Sequence, residues 1–266
     1  MSAWLMYLFF SVFFVLSATA LFFFALTRGT LLVRGALGQL EHEAAHVYPL
    51  YSNMRLIRLV DFQPIIAAIL LFQYDRLVSA ITHGLKHMDL RGKKVLITSC
   101  AFGNVIPRVV TAAVESGARR VLIADIIKNE LTHAESKLPQ FAGKLELLQE
   151  NATAMKQADG SVDANVIFFL LHELPHELKG VALKEAARVL APGGKLYLAE
   201  FHRPDLWVLR ALSWTYFKVF EPLGLALWDS HDPLKQIEAM GGFTCERRTV
   251  FFGNFQVLVA TKNGAA

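Results

Sequence analysis

Residues 94–125, KVLITSCAFGNVIPRVVTAAVESGARRVLIAD, decide the fold. Val95–Ser99 is a short apolar run of the kind that forms a strand buried on both faces. Cys100–Asn104 is a turn of small residues around Gly103. Ile106–Ser116 has a helical period, with Pro107 tolerated in the first turn. Gly117 closes that helix, and Val121–Ala124 is a second buried strand ending in Asp125. Together they read as the first βαβ unit of a nucleotide-binding sheet. A carboxylate at the end of the second strand, about 20 residues past the glycine turn, is where such folds hold ribose hydroxyls. The turn itself is thin. A dinucleotide fingerprint has three glycines, and here Ser99 or Cys100 takes the first place and Asn104 follows the single Gly103. An ordinary doubly wound domain without a nucleotide therefore stays open on this stretch alone.

Downstream, the alternation continues. Asn129–Leu138 reads as a helix stopped by Pro139, and Leu145–Gln149 as a third strand followed by Glu150-Asn151-Ala152, where polar groups would meet an adenine ring. Val162–Leu171 is a fourth strand, apolar enough to be central. It runs into His172-Glu173-Leu174-Pro175-His176, which matches H-E-x-x-H. A zinc site needs both histidines one turn apart on a single helix face, and Pro175 breaks such a helix. The expected role is positional, because ligands of open α/β sheets lie at the carboxyl ends of the strands. The alternative is a histidine that merely caps the next helix. Glu177–Leu190 is that helix, Ala191-Pro192-Gly193-Gly194 a sharp turn, and Lys195–Phe201 a fifth strand ending in Glu200-Phe201-His202-Arg203-Pro204. Leu206–Trp228 carries three of the four tryptophans and is interrupted by Arg210, Lys218, Glu221 and Pro222. It suits an interfacial helix, a lid over an apolar ligand, or a helix covering the sheet. His231–Met240 is a helix, and Phe243–Phe252 and Phe255–Thr261 form an antiparallel hairpin around Gly253-Asn254.

Upstream, Ala3–Leu26 is 24 residues without a charge. At about 1.5 Å per residue it is long enough to cross a hydrocarbon core of about 30 Å. The first arginines, Arg28 and Arg34, follow it, which places the rest of the chain on the cytoplasmic or matrix side of a membrane. Ala18–Ala20 is a weak cleavage-like site. Residues 1–30 are thus expected to be a single-pass anchor, 31–93 a helical membrane-proximal region that forms a wall of the substrate pocket or packs on the sheet edge, and 94–262 the α/β domain. Mean hydropathy is +0.37. The net charge of +4 comes without a basic run or a nucleic-acid module, so a membrane surface is the better partner for it. The two cysteines, Cys100 and Cys245, lie far apart and indicate reduced thiols.

Five βα units closed by a terminal hairpin resemble the class I S-adenosylmethionine-dependent methyltransferases, whose last strand inserts antiparallel. The acidic end of strand two, the polar end of strand three and the APGG turn all match that pattern. More closely, VLITSCAFGNVIPRVV, VIFFLLHELP, ARVLAPGGKLYLAEFHRP and FEPLGLALW resemble the rhodoquinone-biosynthesis methyltransferase-like family. That resemblance implies exchange of a ubiquinone methoxy group for an amino group, with S-adenosylmethionine as nitrogen donor and manganese assisting. It implies a polyprenyl quinone and the lipid bilayer as partners, and no nucleic acid. The chain departs from the family at Phe102, where the family has Tyr, and at Asn104, where it has Asp, which leaves ordinary methyl transfer to a quinone or another lipid as the alternative. On this reading Ser99, Cys100, Phe102, Gly103, Asn104, Asp125, Asn151, Ala152 and Phe169 surround the cofactor. His172, Glu173 and His202 supply acid/base chemistry. Glu173 or a histidine is expected to hold the metal, and Trp207, Trp214 and Phe217 to line the quinone's path.

Overall fold

Strand β1 (Lys94–Thr98) sends Val95 and Ile97 into one apolar layer and Leu96 into another, and the whole sheet repeats that alternation. The structure is a computed structural model that describes residues 3–27 and 53–264. The expected bridge over residues 28–46 and the start of the 48–72 stretch lie outside the described residues. In chain order come α1 (Ala3–Thr27), α2 (Met54–Val60), α3 (Gln63–Ile69) and α4 (Tyr74–Lys86). Then follow β1, α5 (Val105–Glu115), β2 (Arg120–Asp125), α6 (Lys128–Ser136), β3 (Leu145–Gln149) and β4 (Val162–Phe168). The chain continues with α7 (His176–Val189), β5 (Leu190–Phe201), α8 (Trp207–Phe220), α9 (Pro233–Met240), β6 (Phe243–Val250) and β7 (Phe255–Lys262).

The strands form one seven-stranded sheet in the order β3-β2-β1-β4-β5-β7-β6. The first five run parallel, and β7 enters antiparallel between β5 and β6. The class I methyltransferase fold expected from the sequence is therefore present. Connections leave β1 towards β2 on one side, and β4 lies on the other, so a crevice opens at the carboxyl ends of β1 and β4. Helices α4 and α5 cover one face with Leu77, Ile81, Leu85, Val109 and Val110, and α7 covers the other with Leu183 and Ala186. Helix α4 approaches so closely that a Cβ on Gly84 would lie 2.4 Å from the Tyr197 ring.

Three boundaries differ from the sequence reading. Strand β4 ends at Phe168 rather than Leu171, because Phe169 turns left-handed (φ 53) and directs the chain out of the sheet. The Ala191–Gly194 segment is not a turn before a strand. Strand β5 already pairs at Leu190 with Val162, loops out, and resumes at Lys195 opposite Ala164. The hairpin turn is wider than Gly253-Asn254, since Phe251 and Phe252 both leave the ladder at φ 52.

Among the described residues no single helix passes as a membrane span by length and composition, and α3 with α4 does so only as a pair bent by 97°. Helix α1 has 25 residues and includes side chains outside the described set, so its reading as an anchor rests on the sequence.

Candidate cofactor and substrate site

A cleft of about 110 Å³ opens at the strand ends, lined by Ser99, Asp125, Asn151 and Ala152, four of the nine residues expected around the cofactor, with Ile126 and Leu170 among its apolar walls. Asp125 is buried and already holds three donors. Its Oδ2 accepts from the Cys100 N–H at 2.6 Å and the Ser99 hydroxyl at 3.3 Å, and its Oδ1 accepts from the Ile127 N–H at 2.7 Å. Burial pushes its pKa up while the Cys100 and Ile127 N–H groups pull it down. The Cys100 thiol adds a further hydrogen bond to the same carboxylate. That hold on the turn is not visible in the sequence. Ser99 is left-handed at φ 75, as is Gly103 at φ 84. The turn thus keeps the backbone shape that glycine usually supplies, at a cost for Ser99 of about 1–2 kcal/mol. Asn151 turns its carboxamide oxygen to Thr153, accepting from its N–H at 2.9 Å and its hydroxyl at 2.8 Å.

The Gly103 end of the turn is gripped by a residue that sequence reasoning passed over. Asp61, just after α2, accepts the Gly103 N–H at 2.7 Å, lies 2.9 Å from His133 Nε2, and accepts from Lys137 Nζ at 3.0 Å. Lys137 also donates to the Gly103 carbonyl at 3.0 Å, and the Tyr74 hydroxyl donates to the Phe102 carbonyl at 3.3 Å. A Cβ on Gly103 would sit 2.5 Å from that hydroxyl. The signal in the sequence is the lone acid of RLIRLVDF, set between Val60 and Phe62. Asn104 precedes α5 without a side-chain cap and is exposed, and Phe102 packs partly against the core. Beneath the turn, burial and the charges of Asp125 and Glu130 push the Cys100 thiol well up. Glu130 is buried with its Oε1 unpartnered, and burial followed by the Asp125 charge raises it to about 8.

A second buried polar cluster lies at the ends of β4 and β5. His172 Nδ1 is 3.1 Å from Glu200 Oε1, and the His172 N–H donates to Glu200 Oε2 at 3.2 Å. Glu200 also accepts the Phe201 N–H at 2.8 Å. Burial disfavours charge on His172, but the Glu200 carboxylate outweighs it and raises the imidazole to about 9. Phe169 and Phe201 stand edge-on to its ring. Lys179, fully buried, donates to the Leu171 and Leu174 carbonyls, and burial lowers it to about 8. Burial brings Glu221 to about 7, and Glu173 adds negative charge to Glu130, His172, Lys179 and Glu221. His172 and Glu173 stand out in the sequence, whereas Glu200 reads there as an unassigned charge at a strand end, because the strand register that aims it at His172 is a tertiary fact.

Two expectations are corrected. His202 turns to the terminal hairpin, with Nδ1 2.7 Å from the Gly253 carbonyl and Nε2 accepting from Arg247 at 3.3 Å, because alternate residues of β5 continue along its pairing with β7. Phe217 is buried against Phe201 and Trp228, so it belongs to the core rather than a ligand path, whereas Trp207 and Trp214 face outwards. The two histidines of H-E-x-x-H fall on separate elements, a 3-10 turn at Leu171–Glu173 and helix α7, and His176 stacks on His231 instead. Among the described residues no group of three or more His, Cys, Asp or Glu side chains is arranged to hold a metal ion. His172 donates its Nδ1–H to the Glu200 carboxylate, and no second and third ligand join them, so the described side chains do not make a manganese site. The nucleoside end of S-adenosylmethionine does fit: the cleft pairs apolar walls with the Asp125 carboxylate at the end of β2 and Asn151 beyond the end of β3.

The sequence profile of the ubiE/COQ5 methyltransferase family matches residues 63–237. The demethylmenaquinone methyltransferase of Bacillus licheniformis is 32% identical over 133 residues, covering 50% of this chain and 55% of that protein. The ubiquinone/menaquinone biosynthesis C-methyltransferase UbiE of Cronobacter sakazakii is 33% identical over 138 residues, covering 51% and 48%. The chain thus spans about half the length of the curated relatives it matches. Among solved structures, magnesium protoporphyrin IX methyltransferase from Synechocystis, which holds S-adenosylmethionine, aligns with a TM-score of 0.51 at 14% identity, covering 71% of this chain and 80% of that one. A putative S-adenosylmethionine-dependent methyltransferase of Methanococcus maripaludis aligns at 0.54 and 12% identity, covering 80% and 94%. At such identities these likenesses show the fold alone.

Proposed function

Because the chain belongs to the ubiE/COQ5 methyltransferase family, we propose that it transfers the methyl group of S-adenosylmethionine to the ring of a polyprenyl quinone or its quinol at a membrane. The observation that carries this reading is the family match across residues 63–237, which takes in both the nucleoside cleft and the His172 cluster. When bound, the cofactor supplies an electrophilic methyl group on a sulfonium sulfur. Asp125 takes a ribose hydroxyl while fixing the turn, and Asn151 borders the base. At neutral pH His172 is a cation paired with Glu200, so it stabilises negative charge on a ring oxygen and does not accept a proton. Glu221, near 7, is the member of the cluster suited to take the ring proton. The uncharged α1 supports attachment to the bilayer that holds such a substrate, with the catalytic domain on the cytoplasmic or matrix side.

A second reading, exchange of a methoxy group for an amino group as in rhodoquinone formation, is favoured by FFLLHELP and FHRP and by the turn with its single Gly103. One experiment separates the two. Donor labelled in the methyl carbon or in the amino nitrogen is supplied to membranes of cells that express the chain, and their quinones are weighed by mass spectrometry. Methyl transfer predicts carbon label in the product. Nitrogen label without carbon label would replace it with amination, and neither label would remove the quinone as substrate. Added S-adenosylmethionine should also raise the melting temperature of the protein, and Asp125→Ala should abolish that rise.

A further inference from the structure

Helix α8 is amphipathic in the wrong sense for a helix that only covers a sheet. Its inner side is narrow: the Ser213 hydroxyl donates to Asn254 Oδ1 at 2.7 Å, and Phe217 is buried against Phe201. Its outer side carries Trp207 (74% exposed), Val208, Leu212 (59% exposed) and Trp214. The hairpin turn between β6 and β7 extends this surface, because the Asp205 N–H donates to the Phe252 carbonyl at 2.8 Å beside the start of α8. There Phe251 and Phe252 both sit at φ 52, and Phe252 is 64% exposed. Each bulky left-handed residue costs about 1–2 kcal/mol, which no burial of Phe252 repays. A bent backbone that holds an aromatic ring out in water is informative, since strain persists where the surroundings impose it.

We infer that the outer face of α8 and the Phe252 hairpin tip form a docking surface that inserts into the interfacial layer of an anionic lipid bilayer. Charge selects this occupant. Over its whole length α8 carries Arg210 and Lys218 and no carboxylate. Lys218 Nζ lies 5.8 Å from the Trp214 ring centroid, so a cation flanks the aromatic face at the depth where headgroup phosphates meet acyl chains. Tryptophans at one level with a basic side chain at the rim are the pattern of an interfacial helix. The same backbone device recurs at Leu71 (φ 50) and Phe72 (φ 58), where Phe72 is again exposed. This surface goes beyond the proposed anchor: it fixes which face of the catalytic domain meets the lipid, and it is tested without any measurement of activity.

The full chain is reconstituted in vesicles of brominated phosphatidylcholine and phosphatidylglycerol in equal parts, and quenching of tryptophan fluorescence is read. Substitution of Trp207 and Trp214 together by Phe should remove the larger share of the quenching, and Trp4→Phe the smaller. Vesicles of phosphatidylcholine alone should quench α8 less. Phe252→Gly should raise the melting temperature, by relieving the strain, and reduce the quenching. Both variants change exposed side chains, so retained helicity by circular dichroism is expected and is the check on folding. Quenching carried by Trp4 alone and indifferent to the α8 pair would overturn the inference. So would a dimer in solution that dissociates on substitution of Trp207 and Trp214 with quenching unchanged, since the occupant would then be a second copy of the chain.

Discussion

At Glu130 the chain buries a carboxyl whose Oε1 has no partner, close to the charges of Asp125 and Glu173. Its folded pKa of about 8 stands above the ordinary 4.5, so between these values the folded state holds a proton that the unfolded state has released. Stability contributed by this group therefore falls as pH rises from about 4.5 to about 8. Glu130→Gln should flatten that fall and leave the variant more stable than the parent at pH 8, by up to a few kcal/mol, in thermal unfolding at both ends of the window. The opposite sign holds for a broken pair. Glu200→Gln strips His172 of its counter-charge and should destabilise by about 3 kcal/mol, with the imidazole falling below its ordinary value in an NMR titration. Of these residues, His172 and Asp125 were legible because strand-end positions follow from periodicity. Glu130 and Glu200 were not, because a carboxyl on an amphipathic pattern is read as solvated until the neighbours that enclose it are known.

Elements were legible where the period was long and ran over apolar residues, as in β1, α5 and β2, and poorly legible where the backbone breaks its own rule. Nothing in FFLL announces that Phe169 will turn left-handed, and Pro192-Gly193-Gly194 gives the same signal for a turn between elements as for a bulge inside β5. The turn after β1 shows what such local geometry costs. Gly103 is left-handed, and its missing Cβ is what lets Tyr74 approach. Gly103→Ala should cost about 1–3 kcal/mol and weaken the thermal shift produced by S-adenosylmethionine, because the turn and α4 cannot both keep their places. Gly143→Ala, with open space around it, should leave both measurements unchanged and serves as the control.

Across the whole molecule, the sheet order followed from the run of βα units closed by a hairpin, while the grip of Asp61 on Gly103 joins residues 42 apart and has no local signature. The terminal strand holds more than an edge. Strand β7 pairs with β5 over seven positions and with β6 over eight, so a chain ending before Phe255 should leave β5 as a bare hydrophobic edge and yield aggregated protein by size-exclusion chromatography. The same enclosure makes a reporter of Cys100. Burial pushes both thiols up, but Cys100 is buried beneath the turn whereas Cys245 lies half-buried on the outermost strand. An alkylating reagent should therefore modify Cys245 first and Cys100 only as often as the turn lifts from Asp125. The slow phase of labelling is a clock for that opening, and a bound nucleoside should slow it.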